Sequence, residues 1–346
     1  MARAPAAAAD LEKVRRLVVR APNWLGDAVM ALPAMAGVRA ALPDGVMTVA
    51  AIPSVAPLFR EHTIARADDV VALPGGRGEA QALRAGQFDA ILLLPNSFRT
   101  AWSARRAGIP ARWGYRANLR SALLTVAVSR PGHVGHQSAY YLDLVRNLGI
   151  SAPDALPRVD VRAPARARAA RLLESAGASS SSPLVGIAPG AAYGHAKRWP
   201  PARMAELIVR LTREREVRCV LVGAASDRDA GREIESSLPS GIDVVNMIGR
   251  TDLRTFAGVL ARCSAFVSND SGAMHLAAAV GVPVTAIFGP TDERVTAPLG
   301  AQDVLVHPVF CRPCMLRDCP IDHRCMKGIS VASVFDAVSR RLAARV

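Results

Sequence analysis

Lys197 and Arg198 stand side by side in Pro189-Gly190-Ala191-Ala192-Tyr193-Gly194-His195-Ala196-Lys197-Arg198-Trp199-Pro200, two cations at the end of a loop of small residues. Gly190 and Gly194 permit close backbone approach, and the cations can neutralise a diphosphate. The other reading is a solvated basic loop with Trp199 packed beneath it. A second segment, Asn269-Asp270-Ser271-Gly272-Ala273-Met274-His275, joins an apolar run at 265–268 to a helix-like run at 274–280. A strand that turns straight into a helix leaves the first helical N–H groups pointing outward, and with the helix dipole they favour an anion. Alone, Asp270 or Ser271 would be read as a helix cap; two such loops in one half of the chain favour phosphate. A third segment, Arg20-Ala21-Pro22-Asn23-Trp24-Leu25-Gly26-Asp27, repeats the strand–glycine–helix pattern with an acid at the helix start. Asp27 can cap that helix or serve as general base for an incoming hydroxyl.

These loops need a scaffold, and the pattern along the chain supplies one. Short apolar runs at 17–20, 47–51, 70–73 and 90–94, then at 184–188, 217–222, 244–246, 265–268 and 284–288, alternate with helical periodicity. Helices are expected at 28–41 and 100–107, and at 201–214, 227–237, 253–261 and 274–280. That alternation predicts an α/β protein with parallel sheets, in which loops at the C-terminal strand ends bind ligands. Pro153, Pro157 and Pro164 place a boundary near 151–164, giving one domain over 1–160 and a second over 161–329. Residues 330–346 read as one helix with Val331, Val334, Phe335, Val338 and Leu342 on one face, expected to pack back on the first domain. A polar loop at 179–183 interrupts the second half. No internal sequence repeat is visible.

The net charge of +14 suits an anionic partner, although an Arg- and Ala-rich composition can also be a genome-wide bias. The arginines are dispersed, without the basic run or interleaved aromatics of a nucleic-acid binder, so no nucleic acid is expected. No Gly-x-Gly-x-x-Gly follows the first strand, which counts against a nicotinamide-dependent enzyme. Residues 1–10 lack the apolar core of a signal peptide and no run is long enough to span a bilayer, so a cytoplasmic chain that can rest against a membrane is expected. Cys311, Cys314, Cys319 and Cys325, with His323 nearby, have a spacing compatible with a structural zinc as well as with reduced thiols. Cys219 and Cys263 read as core residues.

Together the three loops resemble the glycosyltransferase family 9 heptosyltransferases that build the lipopolysaccharide inner core. The likeness runs from Arg20 to about Cys325 through Pro-Asn-Trp-Leu-Gly-Asp, Ala-Lys-Arg-Trp-Pro, Asn-Asp-Ser-Gly-Ala-Met-His and Phe-Gly-Pro-Thr-Asp. Asn-Asp-Ser-Gly and Lys-Arg-Trp-Pro are similar to the type II enzymes of that family, whereas type I usually shows Asp-Thr-Gly. Ala273 departs slightly, since a larger residue or proline is common there. The resemblance implies a GT-B architecture of two Rossmann-like domains facing a central cleft. It implies inverting transfer of heptose from ADP-L-glycero-D-manno-heptose to the first heptose of a phosphorylated Kdo-lipid A acceptor, with no cofactor or catalytic metal. By position, Asp27 matches the general base and Lys197 the diphosphate-binding lysine. Asp270, Ser271, Gly272 and His275 match the nucleotide loop, with Arg198 beside it. Asp227 is placed for a ribose and Thr251 for the adenine, though either can cap a helix. Asn23, Trp24 and His136 are placed for the acceptor, and Arg112, Arg116 and Arg120 either meet its phosphates or form a solvated face. Family members using another sugar or acceptor, and a zinc-stapled nucleic-acid binder, are the alternatives.

Overall fold

In a computed structural model of the protein, residues 9–76, 78–132, 135–178 and 182–343 are described. The expectations for residues 1–8 and for most of the 179–183 loop lie outside them. The chain divides into two compact units, Met1–Arg158 and Val159–Val346.

The first unit is built on six parallel strands: β1 (Arg16–Arg20), β2 (Val46–Ala51), β3 (Asp69–Ala72), β4 (Ala90–Leu93), β5 (Ala111–Tyr115) and β6 (Val126–Val128), in the spatial order β3-β2-β1-β4-β5-β6. The second repeats the plan with β7 (Leu184–Ala188), β8 (Arg218–Leu221), β9 (Val245–Asn246), β10 (Cys263–Asn269), β11 (Val284–Phe288) and β12 (Gln302–Val306), in the order β9-β8-β7-β10-β11-β12. Each is the 3-2-1-4-5-6 order of a Rossmann-like sheet, whose ligands bind where the strand order reverses. Central strands such as β4 and β7 are buried on both faces, which is why they read as unbroken apolar runs rather than alternating ones.

The two points of reversal carry the three loops. In the first unit, Arg20 of β1 is in register with Leu93 of β4, so the segments after each leave the sheet side by side. In the second, Ala188 of β7 is in register with Ser268 of β10, which brings the Lys197 and Asp270 loops together.

Two expectations are corrected here. The apolar run expected as one helix over 28–41 is two, Leu25–Met30 and Leu32–Ala40, with the break at Ala31 and Pro33 in the first turn of the second. A proline there lacks the N–H that would continue the ladder. The C-terminal helix, Val331–Ala343, turns its apolar face into the second unit's own core, where Val331, Val334, Phe335 and Val338 join Ile187, Trp199, Met204, Ile208, Leu211 and Ile287. Arg210 and Arg215 of the helix Pro201–Arg215 lie over the Phe335 ring, at 4.0 and 5.0 Å from its centre.

Candidate active site

In the first unit the β1 loop is held from below by a buried ion pair. Arg20 and Glu79 are both almost fully buried, and Arg20 Nε donates to Glu79 Oε1 at 3.0 Å. Arg20 also donates to Asn23 Oδ1 at 2.9 Å, so Asn23 fixes the loop's shape. Removing one member of a buried pair leaves an uncompensated charge. Glu79→Ala is therefore expected to cost about 3–5 kcal/mol of stability, read as a lowered midpoint in urea unfolding.

Trp24 is the residue before the helix Leu25–Met30, provides no side-chain cap, and is 58% exposed. Asp27 sits inside the first turn rather than capping it, and is half-buried. Its carboxylate accepts a hydrogen bond from the hydroxyl of Tyr141, on the helix Gln137–Asn147. Burial first, and the charge of Asp27 next, hold the Tyr141 phenol well above its ordinary range, so it remains a donor at neutral pH. Tyr141 is a site residue that the sequence reading passed over; its signal was a second tyrosine, Tyr140-Tyr141, on the inward face of that helix. His136, expected at the acceptor, caps this helix, its Nδ1 accepting from Ser138 N at 3.2 Å.

The three arginines read as one anionic-partner group separate by burial. Arg120 is fully buried and donates to Tyr115 O at 2.9 Å, Asn96 Oδ1 at 3.2 Å and Pro95 O, which makes it a brace for the loop after β4. Burial lowers its pKa to about 10. Arg112 donates to the carbonyls of Ile109, Pro110 and Leu123. Of the three, Arg116 is the exposed one.

In the second unit, Lys197 Nζ donates to Asp270 Oδ2 at 2.5 Å, and Thr291 Oγ1 donates to the same oxygen at 2.6 Å. All three residues are buried. Asn269, fully buried, ties the two loops together. Its Oδ1 accepts from Trp199 N at 3.0 Å and its Nδ2 donates to Pro189 O at 2.8 Å. Ser271 occupies the N-cap position of the helix Gly272–Val280 but makes no side-chain cap, so the expected anion-facing helix start keeps its dipole end uncapped. His275 is buried in the first turn.

Asp227 accepts from Ala224 N at 3.0 Å and lies 3.6 Å from Arg198. A Cβ on Gly190 would fall 2.2 Å from the Asp227 carboxylate carbon, so only glycine lets the β7 loop and Asp227 approach so closely. Arg198 Nε is buried with no hydrogen-bond partner. Thr251 is half-buried, and the cap of the helix Leu253–Leu260 is its neighbour Asp252, which accepts from Thr255 N at 2.7 Å. The Thr255 hydrogen bond holds the Asp252 carboxyl below its ordinary value of 3.8. The cap's contribution is therefore present above that value and lost as pH falls through the depressed one. Asp252→Ala is expected to cost about 1 kcal/mol near neutral pH and progressively less in acid, measured by urea unfolding across pH.

The segment 307–325 straps this site. Arg317 O accepts from Ala196 N at 2.9 Å, Met315 O from Tyr193 Oη at 2.8 Å, and Met315 N donates to Pro290 O at 2.9 Å. Arg312 reaches Gly289 O at 2.7 Å and Glu293 Oε2 at 2.6 Å. Lys197 Nζ lies 4.7 Å from the Tyr193 ring centre. Tyr193, Thr291 and Arg312 thus belong to the site's framework. Cys311, Cys314, Cys319 and Cys325 line one cavity of about 20 Å³ beside this strap. Among the described residues no three His, Cys, Asp or Glu side chains form a group that could hold a metal ion, so the zinc expectation gains no support. Cys325 points into the second unit's apolar core, and burial pushes its thiol pKa up.

This pairing of a Lys–Asp–Thr cluster with an uncapped helix start, at the reversal point of a Rossmann-like sheet, sets the context for the relatives of this chain. Residues 78–324 match glycosyltransferase family 9 (heptosyltransferase). The chain belongs to that family. Lipopolysaccharide heptosyltransferase 2 of Salmonella typhimurium is 32% identical over 305 residues, which cover 82% of this chain and 85% of the relative. The Escherichia coli protein of the same name is 31% identical over equal coverage. Among solved structures, E. coli ADP-heptose lps heptosyltransferase II aligns with a TM-score of 0.82 at 28% identity, covering 95% of this chain and 99% of that one. As a family 9 member the chain is a glycosyltransferase, and its two parallel-sheet units are GT-B-like. No described helix is long and apolar enough to cross a membrane.

Proposed function

We propose that this family 9 enzyme transfers L-glycero-D-manno-heptose from ADP-heptose to the first heptose of the lipopolysaccharide inner core, with inversion at the anomeric carbon. The observation that carries the reading is the Lys197–Asp270–Thr291 cluster beside the uncapped start of the helix Gly272–Val280. Supporting it are the heptosyltransferase 2 relatives, alike over more than four-fifths of the chain.

Each group has a role within this reading. Asp27 takes the proton of the acceptor hydroxyl as that oxygen attacks the anomeric carbon, while the bond to the diphosphate oxygen breaks. Tyr141 orients the base. As negative charge grows on the leaving diphosphate, Lys197 and the helix N–H groups stabilise it more strongly than in the ground state. Arg198, with its buried unpartnered Nε, is a further donor toward that anion. Asp227, Thr251 and His275 line the nucleoside side. Asn23, Trp24 and His136 lie on the acceptor side, Trp24 offering its exposed face and the other two holding the backbone. The phosphorylated Kdo-lipid A acceptor is anchored in a membrane, so the enzyme works as a peripheral protein at the cytoplasmic face of the inner membrane.

Isothermal titration with ADP and ADP-heptose, against UDP, GDP and NAD, tests the donor assignment. Selective binding of the adenine diphosphates is expected. Preference for another nucleotide would keep the transferase and overturn the heptose donor.

A further inference from the structure

The helix Phe98–Arg106 is built inside out. Its buried positions are the small residues Thr100, Ala101, Ser103 and Ala104, while Phe98 and Trp102 stand 47% and 44% exposed. Positions 98, 99, 102, 105 and 106 fall on one helical stripe, and all five are exposed: two aromatic rings and three arginines. The rings stack on each other, centroids 6.3 Å apart and 15° between planes. A soluble helix ordinarily turns such rings inward, where burying each contributes about 1.5–3 kcal/mol.

Charge on the same part of the unit has one sign. Between Asp89 and Asp143 the sequence holds no Asp or Glu, and of its arginines Arg99, Arg105, Arg106, Arg116 and Arg130 are exposed, Arg112 and Arg120 being the clamp and the buried brace described above. The neighbouring helix Gly78–Ala85 adds an exposed arginine, Arg84, which donates to Arg106 O; its one acid, Glu79, is buried against Arg20. Leu119 is 94% exposed, and its neighbour Asn118 donates to Asn96 O at 3.0 Å on the loop before this helix, with exposed Arg116 close in sequence. Two copies meeting across this stripe would set arginine against arginine, which disfavours a symmetric dimer. Aromatic rings amid arginines and no acid match the interfacial layer of an anionic bilayer.

We infer that the stripe Phe98, Arg99, Trp102, Arg105 and Arg106 is a docking surface for an anionic phospholipid membrane. The inference rests on the proposed reaction for its meaning. The helix starts immediately beyond β4, next to the β1 loop that bears Asp27, so docking there brings the acceptor end of the first unit's sheet to the lipid surface. The loop that launches it is rigid, braced by Arg120 and by Asn96 Nδ2 donating to Tyr140 Oη at 2.8 Å.

The test is cosedimentation of the full chain with phosphatidylcholine vesicles, with and without about one-third phosphatidylglycerol. Binding to the anionic vesicles, weakened by salt, is expected. Phe98→Ser with Trp102→Ser should lower the partition coefficient about tenfold or more, and Arg105→Gln or Arg106→Gln about fivefold each. Trp102→Phe keeps the apolar surface and should keep binding while losing most of the blue shift of tryptophan emission. Equal binding to neutral vesicles, wild-type binding by the Phe98/Trp102 and arginine variants alike, or a dimer that these variants dissolve would overturn the inference. So would binding confined to vesicles that carry a phosphorylated glycolipid in place of phosphatidylglycerol, which would make the stripe an acceptor subsite. Vesicle binding involves no transfer step, so docking and heptosyl transfer can each fail without the other.

Discussion

Asp27→Asn is expected to reduce heptosyl transfer by roughly 10²–10⁴-fold while leaving ADP affinity unchanged. The substitution keeps the size of the side chain and an oxygen to accept from Tyr141, so the first turn of Leu25–Met30 stays in place. What it removes is the capacity to hold a proton from the acceptor hydroxyl. Without a base, the attacking oxygen must carry its proton into the transition state. In the proposed reading ADP is held by the second unit's loops, whose residues the substitution leaves unchanged. Single-turnover transfer and calorimetric titration on the same preparation separate the two effects. An Asp27→Asn enzyme that retains substantial activity removes Asp27 from the chemistry.

The second large effect belongs to Lys197. Lys197→Ala takes away the cation proposed to face the diphosphate and leaves Asp270 buried, with Thr291 as its remaining hydrogen-bond donor. An unneutralised carboxylate then repels the ligand that the lysine attracted. The expected loss in ADP binding is about 2–4 kcal/mol, roughly 30- to 1,000-fold. Stability should fall as well, because one partner of a buried pair has been removed. Combining Lys197→Met with Asp270→Asn separates the contributions: stability recovers, since no buried charge is left alone, but ADP affinity does not. Recovery of both in the double variant would show that Lys197 serves the fold and not the ligand.

The loops were legible in the sequence because glycine, acid and cation at a strand-to-helix turn have few purposes. Pro189–Pro200 and Asn269–His275 announced themselves this way, and the fold then placed both where the strand order of one sheet reverses. The central strands were legible because burial on both faces leaves only apolar residues. Strands β5, β6 and β12 were not anticipated. Ala111–Tyr115 carries Arg112 and Gly114, Val126–Val128 is three residues long, and Gln302–Val306 is half-exposed at an edge. None of them offers a run that stands out from a loop.

Partnerships across long sequence distance were hidden for a different reason. Arg20 and Glu79 are 59 residues apart and Lys197 and Asp270 are 73 apart, so neither pairing follows from local spacing. The same holds for Tyr141 beneath Asp27 and for Arg312 braced on Gly289. Arg112, Arg116 and Arg120 look alike in sequence, yet one is a buried brace, one a carbonyl clamp and one exposed, a distinction that only burial makes. The cysteine spacing suggested a metal because spacing reports order along the chain. Cys325 instead follows its neighbour Met326 into the apolar core.

The most direct test of the proposed activity is transfer itself. Purified protein is incubated with ADP-heptose and a Kdo-lipid A acceptor bearing one heptose, with the acceptor followed by mass spectrometry and released ADP by chromatography. The account predicts gain of one heptosyl residue, stoichiometric ADP release and an anomeric configuration opposite to that of the donor. An unchanged acceptor alongside intact donor, or a product that retains the donor's configuration, would contradict it.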